Sequence, residues 1–165
     1  MRRKKNLSPT LRLTAHFTLA QFLYSKTAKK LKIDNRPSKK IIRNLRHVAT
    51  GMELIRETLG YPLKITSGYR CRELNTAVGG SDASHHMLGL AVDFTCKSYG
   101  TAYRACKAIG ASDIAFDQLI HEYGKSKNDQ WIHVSFGPKK RRQKLTICAN
   151  KGIYRKGFHP RLLRK

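Results

Sequence analysis

The stretch Ser84-His85-His86-Met87-Leu88-Gly89-Leu90-Ala91-Val92-Asp93, read with Trp131-Ile132-His133, decides how this chain is built. After the histidine pair, Leu88, Leu90, Val92 and Phe94 alternate with Gly89, Ala91 and Asp93, the period-two pattern of a half-buried strand. The apolar set faces the core, so Asp93 turns to the opposite side, beside the small residues Gly89 and Ala91. These two leave space there for a metal and a substrate backbone. Ile132, Val134 and Phe136 separate in the same way from Trp131, His133 and Ser135. Two strands lying side by side would share a carboxylate and an imidazole on the face away from the core. His86, Asp93 and His133 then make a three-ligand set for one Zn2+ per chain, with a fourth tetrahedral position open for water. An open position separates a hydrolytic metal site from a structural one.

The remaining pattern predicts an α+β domain. Thr18 can cap a helix running to about Leu31, and Pro37-Ser38 opens the longest helix, with Ile41, Ile42, Leu45, Val48, Met52 and Ile55 at helical spacing. Gly60 is placed to end it. Leu63–Thr66 is predicted as a strand, Arg72–Val78 as a short helix, Gly79-Gly80 as a turn and Tyr99–Ile109 as a third longer helix. Residues 114–121, 131–136 and 144–148 read as further strands. The expected organisation is a basic arm over 1–15, one domain over 16–150 and a basic tail over 151–165. Neither end is expected to be needed for bond cleavage.

The spaced motif Ser84-x-His86-x-x-Gly89-x-Ala91-x-Asp93, followed by Trp131-x-His133, resembles the signature of the zinc D-Ala-D-Ala carboxypeptidases and L-alanyl-D-glutamate endopeptidases. The resemblance extends to Ser67-Gly68-Tyr69-Arg70 and Phe116-Asp117-Gln118-Leu119-Ile120, covering roughly residues 16–137. It implies a Hedgehog/DD-peptidase-like fold: a small antiparallel sheet carries the zinc site and helices pack on one side. The implied activity is hydrolysis of bacterial peptidoglycan stem peptides. By the same resemblance His86, Asp93 and His133 are the zinc ligands. Arg70 matches a substrate-binding arginine, and Ser84 a serine beside the ligands. Trp131 joins them in the expected substrate-binding set and shields one side of the site from water.

One position departs from the pattern. Many relatives carry the catalytic acid three residues before the last histidine, where this chain has Gln130, and an amide cannot accept the proton. Glu122 and Asp129 are the nearby carboxylates. A hairpin through Gly124-Lys125-Ser126-Lys127-Asn128 would return Glu122 to the side of the His133 strand, which favours Glu122, with Asp129 as the alternative. His85 is expected to point elsewhere than His86. His16, His47, His121 and His159 read as ordinary packed or exposed histidines.

Charge is the second strong feature. The 165 residues hold 34 Lys/Arg against 10 Asp/Glu, a net charge of +24. Residues 1–33 carry nine basic and no acidic residues, and residues 130–165 carry eleven and none, whereas 34–129 is near balance. Runs such as Lys139-Lys140-Arg141-Arg142 attract polyanions through a screened field without choosing among them, so anionic wall polymers and nucleic acid both qualify as partners. Few aromatics are interleaved with these runs, which argues against a dedicated nucleic-acid reader. No apolar stretch approaches the eighteen residues needed to span a bilayer, and Arg2-Arg3-Lys4-Lys5 precedes a polar segment instead of a signal-peptide core. The expectation is a monomer made in the cytoplasm that acts at the bacterial cell wall or is carried on a virion, as a phage lysis or wall-penetration enzyme. The four cysteines show no Cys-x-x-Cys pairing and read as reduced thiols. The alternative function is an inactive member of the same fold that binds wall or nucleic acid.

Overall fold

The computed structural model describes residues 10–124, 126, 129–148 and 152–160. Six strands form one sheet in the order β1-β2-β4-β3-β5-β6. They are β1 (Lys64–Ser67), β2 (Ala91–Thr95), β3 (Gln118–Tyr123), β4 (Gln130–Ser135), β5 (Gln143–Cys148) and β6 (Ile153–Lys156). The sheet is mixed where the sequence led us to expect an antiparallel one. All neighbours are antiparallel except β3 and β5, which run parallel from Gln118↔Gln143 to Tyr123↔Cys148. The cause is a short crossover. Both the end of β4 (Ser135) and the start of β5 (Gln143) pair with Gln118, so residues 136–142 pass the end of β3 and restart in its direction.

That crossover absorbs half of the basic run read as a polyanion patch. Arg141 sends Nε and Nη2 to the two oxygens of buried Asp117, at 2.8 and 2.7 Å. Arg142 adopts a left-handed backbone (φ 51°) and donates to the carbonyls of Gly110, in the last turn of the helix over Ala102–Ala111, and of Ser112 and Ile114 just beyond it. The two side chains fasten the crossover to the sheet and to the helix layer.

Five helices accompany the sheet among the described residues: α1 (Leu19–Leu23), α2 (Lys26–Leu31), α3 (Lys39–Leu59), α4 (Arg72–Ala77) and α5 (Ala102–Ala111). The single helix expected from Thr18 to Leu31 is two. Ser25 is extended and accepts from Ala28 N, so it caps a fresh helix after Tyr24. Ser38 caps α3, and Gly60 ends it in the left-handed conformation (φ 70°), both where expected. Leu45, Val48, Met52 and Ile55 of α3 and Cys106 and Ile109 of α5 pack on Val92, Phe94, Leu119, Ile132 and Val134 of the sheet. None of these residues has measurable exposure. The opposite face carries the small cluster Ile120, Leu145 and Ile147, together with the polar residues described below.

The chain ends differ from the expected arm and tail. Leu11 and Leu13 pack against the core, and Arg12 bridges Thr18. At the other end β6 pairs with β5 from Leu145↔Lys156 to Cys148↔Ile153. Thr146 Oγ1 donates to Gly157 O and accepts from His159 N, both at 2.9 Å, and Phe158 packs against the core. The sheet therefore continues past residue 150. Exposed Ile153 and Tyr154 gave no period-two signal because β6 is an edge strand exposed along its length. Residues 1–9 and 161–165, the outer parts of the expected arm and tail, lie outside the described residues.

Candidate metal and catalytic site

The site grows from one register. Asp93 of β2 pairs with His133 of β4, which pairs on its other side with Ile120 of β3. Directly paired residues on one face bring their Cβ atoms within about 5 Å. The Asp93 and His133 side chains consequently meet, with Oδ1 and Nδ1 2.8 Å apart. Val92 and Phe94 fix which face of β2 is buried, and Ile132 and Val134 do the same for β4.

His86 arrives by a different route from the one the alternation implied. The strand begins at Ala91, three residues later than the pattern suggested, and His85–Leu88 form a 3-10 turn. Leu88 is half exposed and takes no part in the core. Ser84 Oγ accepts from His86 N at 3.3 Å at the start of the turn, and Gly89 closes it at φ 65°. A Cβ on Gly89 would also meet Ile41 Cγ2 at 3.0 Å, so its small size serves the turn and the approach to α3, not space for a substrate. The turn buries His86 over the sheet. Its Nδ1 lies 2.7 Å from Gly68 O, and its Nε2 lies 3.2 Å from both Asp93 Oδ1 and His133 Nδ1.

Three ligand atoms thus converge within 2.8–3.2 Å of one another. Bonds of about 2.0–2.1 Å at tetrahedral angles place ligand atoms about 3.3–3.4 Å apart, so a zinc ion needs only a slight expansion here. Two imidazole nitrogens turned toward one carboxylate oxygen are also the donor set of an N/O-ligated divalent cation. The Gly68 carbonyl holds the other His86 nitrogen, as an orienting partner of a ligand does. The residues fit the metal. Burial opposes the Asp93 charge, yet the imidazoles of His86 and His133 hold its carboxyl well below the ordinary carboxylate range.

Arg70 follows β1 and sends Nε to Ser67 Oγ (3.0 Å) and Nη2 to Asp93 Oδ2 (2.7 Å). Its backbone N–H donates to His86 O at 3.2 Å, linking it to two of the three ligands. Glu122 lies on β3 directly opposite Trp131 of β4, one pair along the same face from His133. Burial and then the charge of Asp93 push its carboxyl up to about 7, against the opposing pull of His133, a Trp131 side-chain hydrogen bond and Arg70. The Trp131 side chain is therefore a hydrogen-bond partner of the Glu122 carboxyl across the strand pair. Asp129 is exposed in the β3–β4 connection, where its carbonyl accepts from Gly124 N at 2.7 Å. It lines the same cleft but is not part of the ligand cluster.

Gln130 pairs with Tyr123, on the face opposite Trp131 and His133, because an odd separation along a strand reverses the side chain. Its Oε1 lies 3.2 Å from Nε2 of buried His121, on the helix side of the sheet. The position that looked like a lost catalytic acid holds a structural amide. Sequence reasoning did not assign Tyr154 of β6, whose pairing partner Ile147 is in turn paired with Glu122; although the residue is more than half exposed, its phenol is raised by partial burial and then by the charge of Glu122. It also gave Asp117 no role, although Asp117 lies inside the quoted Phe116–Ile120 segment, and it placed Arg141 in a polyanion-attracting run instead of beside Asp117.

A His-Asp-His cluster of the kind that can hold a metal ion thus lies beside a partly buried carboxylate two residues along β3 from the residue paired with His133. Residues 15–135 match the peptidase M15 family, and the chain belongs to that family, which is the family of the zinc D-Ala-D-Ala carboxypeptidases. A comparison with curated proteins found no match.

Proposed function

We propose that this protein is a zinc metallopeptidase that hydrolyses peptide bonds in the stem peptides of bacterial peptidoglycan. The observation that carries the reading is the convergence of His86 Nε2, His133 Nδ1 and Asp93 Oδ1 in a cleft that Glu122 also lines. Zinc bound by these three residues would polarise the scissile carbonyl and lower the pKa of water at the open position. Glu122 in its ionised form takes a proton from the attacking water and delivers it to the leaving amine nitrogen as the C–N bond breaks. Trp131 keeps the carboxyl aimed. Arg70, anchored on Asp93 and Ser67, presents its remaining donors to the substrate carbonyl oxygen. Ser84 acts through His86, whose turn it caps. The basic composition and the resemblance support action at the cell wall, as in a phage lysis enzyme.

The test is digestion of purified peptidoglycan with and without a chelator, the products being weighed by mass spectrometry. New peptide termini that vanish with chelator and return with zinc are expected, and the mass identifies the bond. Glu122→Gln should retain zinc and fold while losing at least about a hundredfold in turnover. For wild type, turnover rises with pH through the Glu122 midpoint, because the base form is populated above it. That limb lies near pH 7 or lower, since a cation on the ligands favours the carboxylate. No chelator-sensitive product, or full activity in Glu122→Gln, would overturn the mechanism.

A further inference from the structure

The cleft that holds the metal ligands is also lined by His85, Asp117, Lys139 and Arg141, none of which the proposed chemistry uses. Asp117 is the residue before the Gln118↔Ser135 pair, and Ser135 lies two residues beyond His133 on the same face. Two strand residues span about 6.6 Å, so this end of the cleft is on the order of 10 Å from the ligands. That is the reach of about three extended peptide residues.

Arg141 is built into this end. Asp117, whose side chain is 1% exposed, takes both Nε and Nη2 of the guanidinium and also the Arg141 backbone N–H at 3.1 Å. The Arg141 side chain stays 44% exposed, and Nη1 makes no hydrogen bond among the described residues. Behind it the packing is tight: a Cβ on Gly137 would meet His85 Cε1 at 2.9 Å and Asp117 Oδ2 at 3.1 Å. His85 Nδ1, 3.9 Å from Asp117 Oδ2, is buried without a hydrogen-bond partner among the described residues. A fixed cation with a spare donor beside an orphaned polar atom is a prepared half of an anion site. The exposed lysines that line the cleft are not held in this way, so each would lose more freedom on binding. Arg70 is fixed on Asp93, so a carboxylate farther along the substrate needs another cation.

We infer that Arg141, held by Asp117, binds a carboxylate carried by the substrate peptide away from the scissile bond and sets the enzyme's preference for acidic peptides. The inference rests on the peptidase reading for the identity of the substrate. A stem peptide offers two such groups, the α-carboxylate of its D-glutamyl residue and its C-terminal carboxylate.

The test uses the full-length zinc-loaded protein and three soluble peptides: L-Ala-γ-D-Glu-L-Lys-D-Ala-D-Ala, the same peptide amidated at the D-glutamyl α-carboxyl, and the same peptide amidated at the C-terminus. Cleavage (kcat/KM) and equilibrium binding are measured for wild type, Arg141→Gln and the double variant Asp117→Asn/Arg141→Gln. The double variant leaves no buried unpaired carboxylate and serves if the single variant melts early. One of the two amidations is expected to weaken wild type about tenfold or more, mainly through KM, and to have little effect in the variants. Which amidation does so names the carboxylate. If wild type cleaves all three peptides equally, or the variants keep the wild-type preference, the inference is overturned and the peptidase reading stands. If wild type cleaves none but binds the acidic peptide in an Arg141-dependent way, the peptidase reading fails and this site survives. Neither binding nor cleavage overturns both.

Discussion

His133 meets Asp93 across one strand pair and His86 across one turn, so it joins two separately built parts of the site. Removing it takes a nitrogen from the ligand set without disturbing Val134 or Ile132 beneath. His133→Ala is expected to bind well under the about one zinc per chain of wild type, by elemental analysis of the purified protein, whereas His85→Ala keeps its zinc. Full occupancy in His133→Ala would remove it from the ligand set. Asp117 makes a second residue-scale prediction. Its carboxyl is lowered to about 2, chiefly by the Arg141 hydrogen bond and against its burial. A depressed folded-state pKa gives stability that is fully present above the unfolded value of about 3.9 and is lost as pH falls from there toward 2. The contribution is at most about 2.6 kcal/mol by the same linkage. Asp117→Asn should melt lower than wild type at pH 6, and the gap should close by pH 2; a gap that persists unchanged would mean the ion pair does not set it. Asp93 and His133 were legible in the sequence because a histidine or aspartate facing away from an apolar strand face needs a reason to be there, whereas His86 was reached through the spaced motif and sits on a turn. The role of Gln130 was not, because only the pairing of Gln130 with Tyr123 shows that it faces His121.

At the scale of elements, the ends of the helices followed from residue chemistry. Ser38 and Gly60 bound α3, and Ser25 restarts a helix after Tyr24. The strand β6 did not follow, since its side chains are exposed and its stability comes from hydrogen bonds to β5. Truncation after residue 150 should therefore do more than remove charge. It deletes the β5–β6 ladder, the two Thr146 bonds and the carbonyl of His159 that lies 3.0 Å from His121 Nδ1. Each net hydrogen bond contributes about 1 kcal/mol, so a loss of several kcal/mol and a clearly lower Tm are expected by calorimetry. A truncated protein with wild-type Tm would show that residues 151–165 are a dispensable tail after all.

Across the whole molecule, the excess charge divides into parts with different duties. Arg141 and Arg142 fasten the crossover, and Arg70 fastens Asp93. Seven basic residues lie in 1–9 and 161–165. Removing only those two segments should preserve the fold and the cleavage of a short soluble peptide while weakening binding to intact cell walls. The difference should shrink as salt rises, because exposed charges are screened over about 8 Å at physiological ionic strength. Equal, salt-insensitive wall binding by both forms would leave that charge a solubility feature. Tight binding of the full chain to single-stranded DNA but not to walls would favour nucleic acid as the partner. No helix among the described residues is long and apolar enough to cross a membrane.

The information carried by residue spacing alone was local: the caps of α3, the buried faces of β2 and β4, and Asp93 and His133, which turn away from those faces. Each is written in a spacing of a few residues, which the backbone period converts directly into a direction. Adjacency between distant segments came from the folded chain alone. The parallel pairing of β3 with β5 and the edge strand β6 belong here. So do the fixing of Arg70 on Asp93 and of Arg141 on Asp117, the turning of Gln130 away from the site, and the environment that raises Glu122 to about 7. These depend on which strands become neighbours and on how much water the fold excludes between them. Neither quantity is encoded in the spacing of residues along one strand.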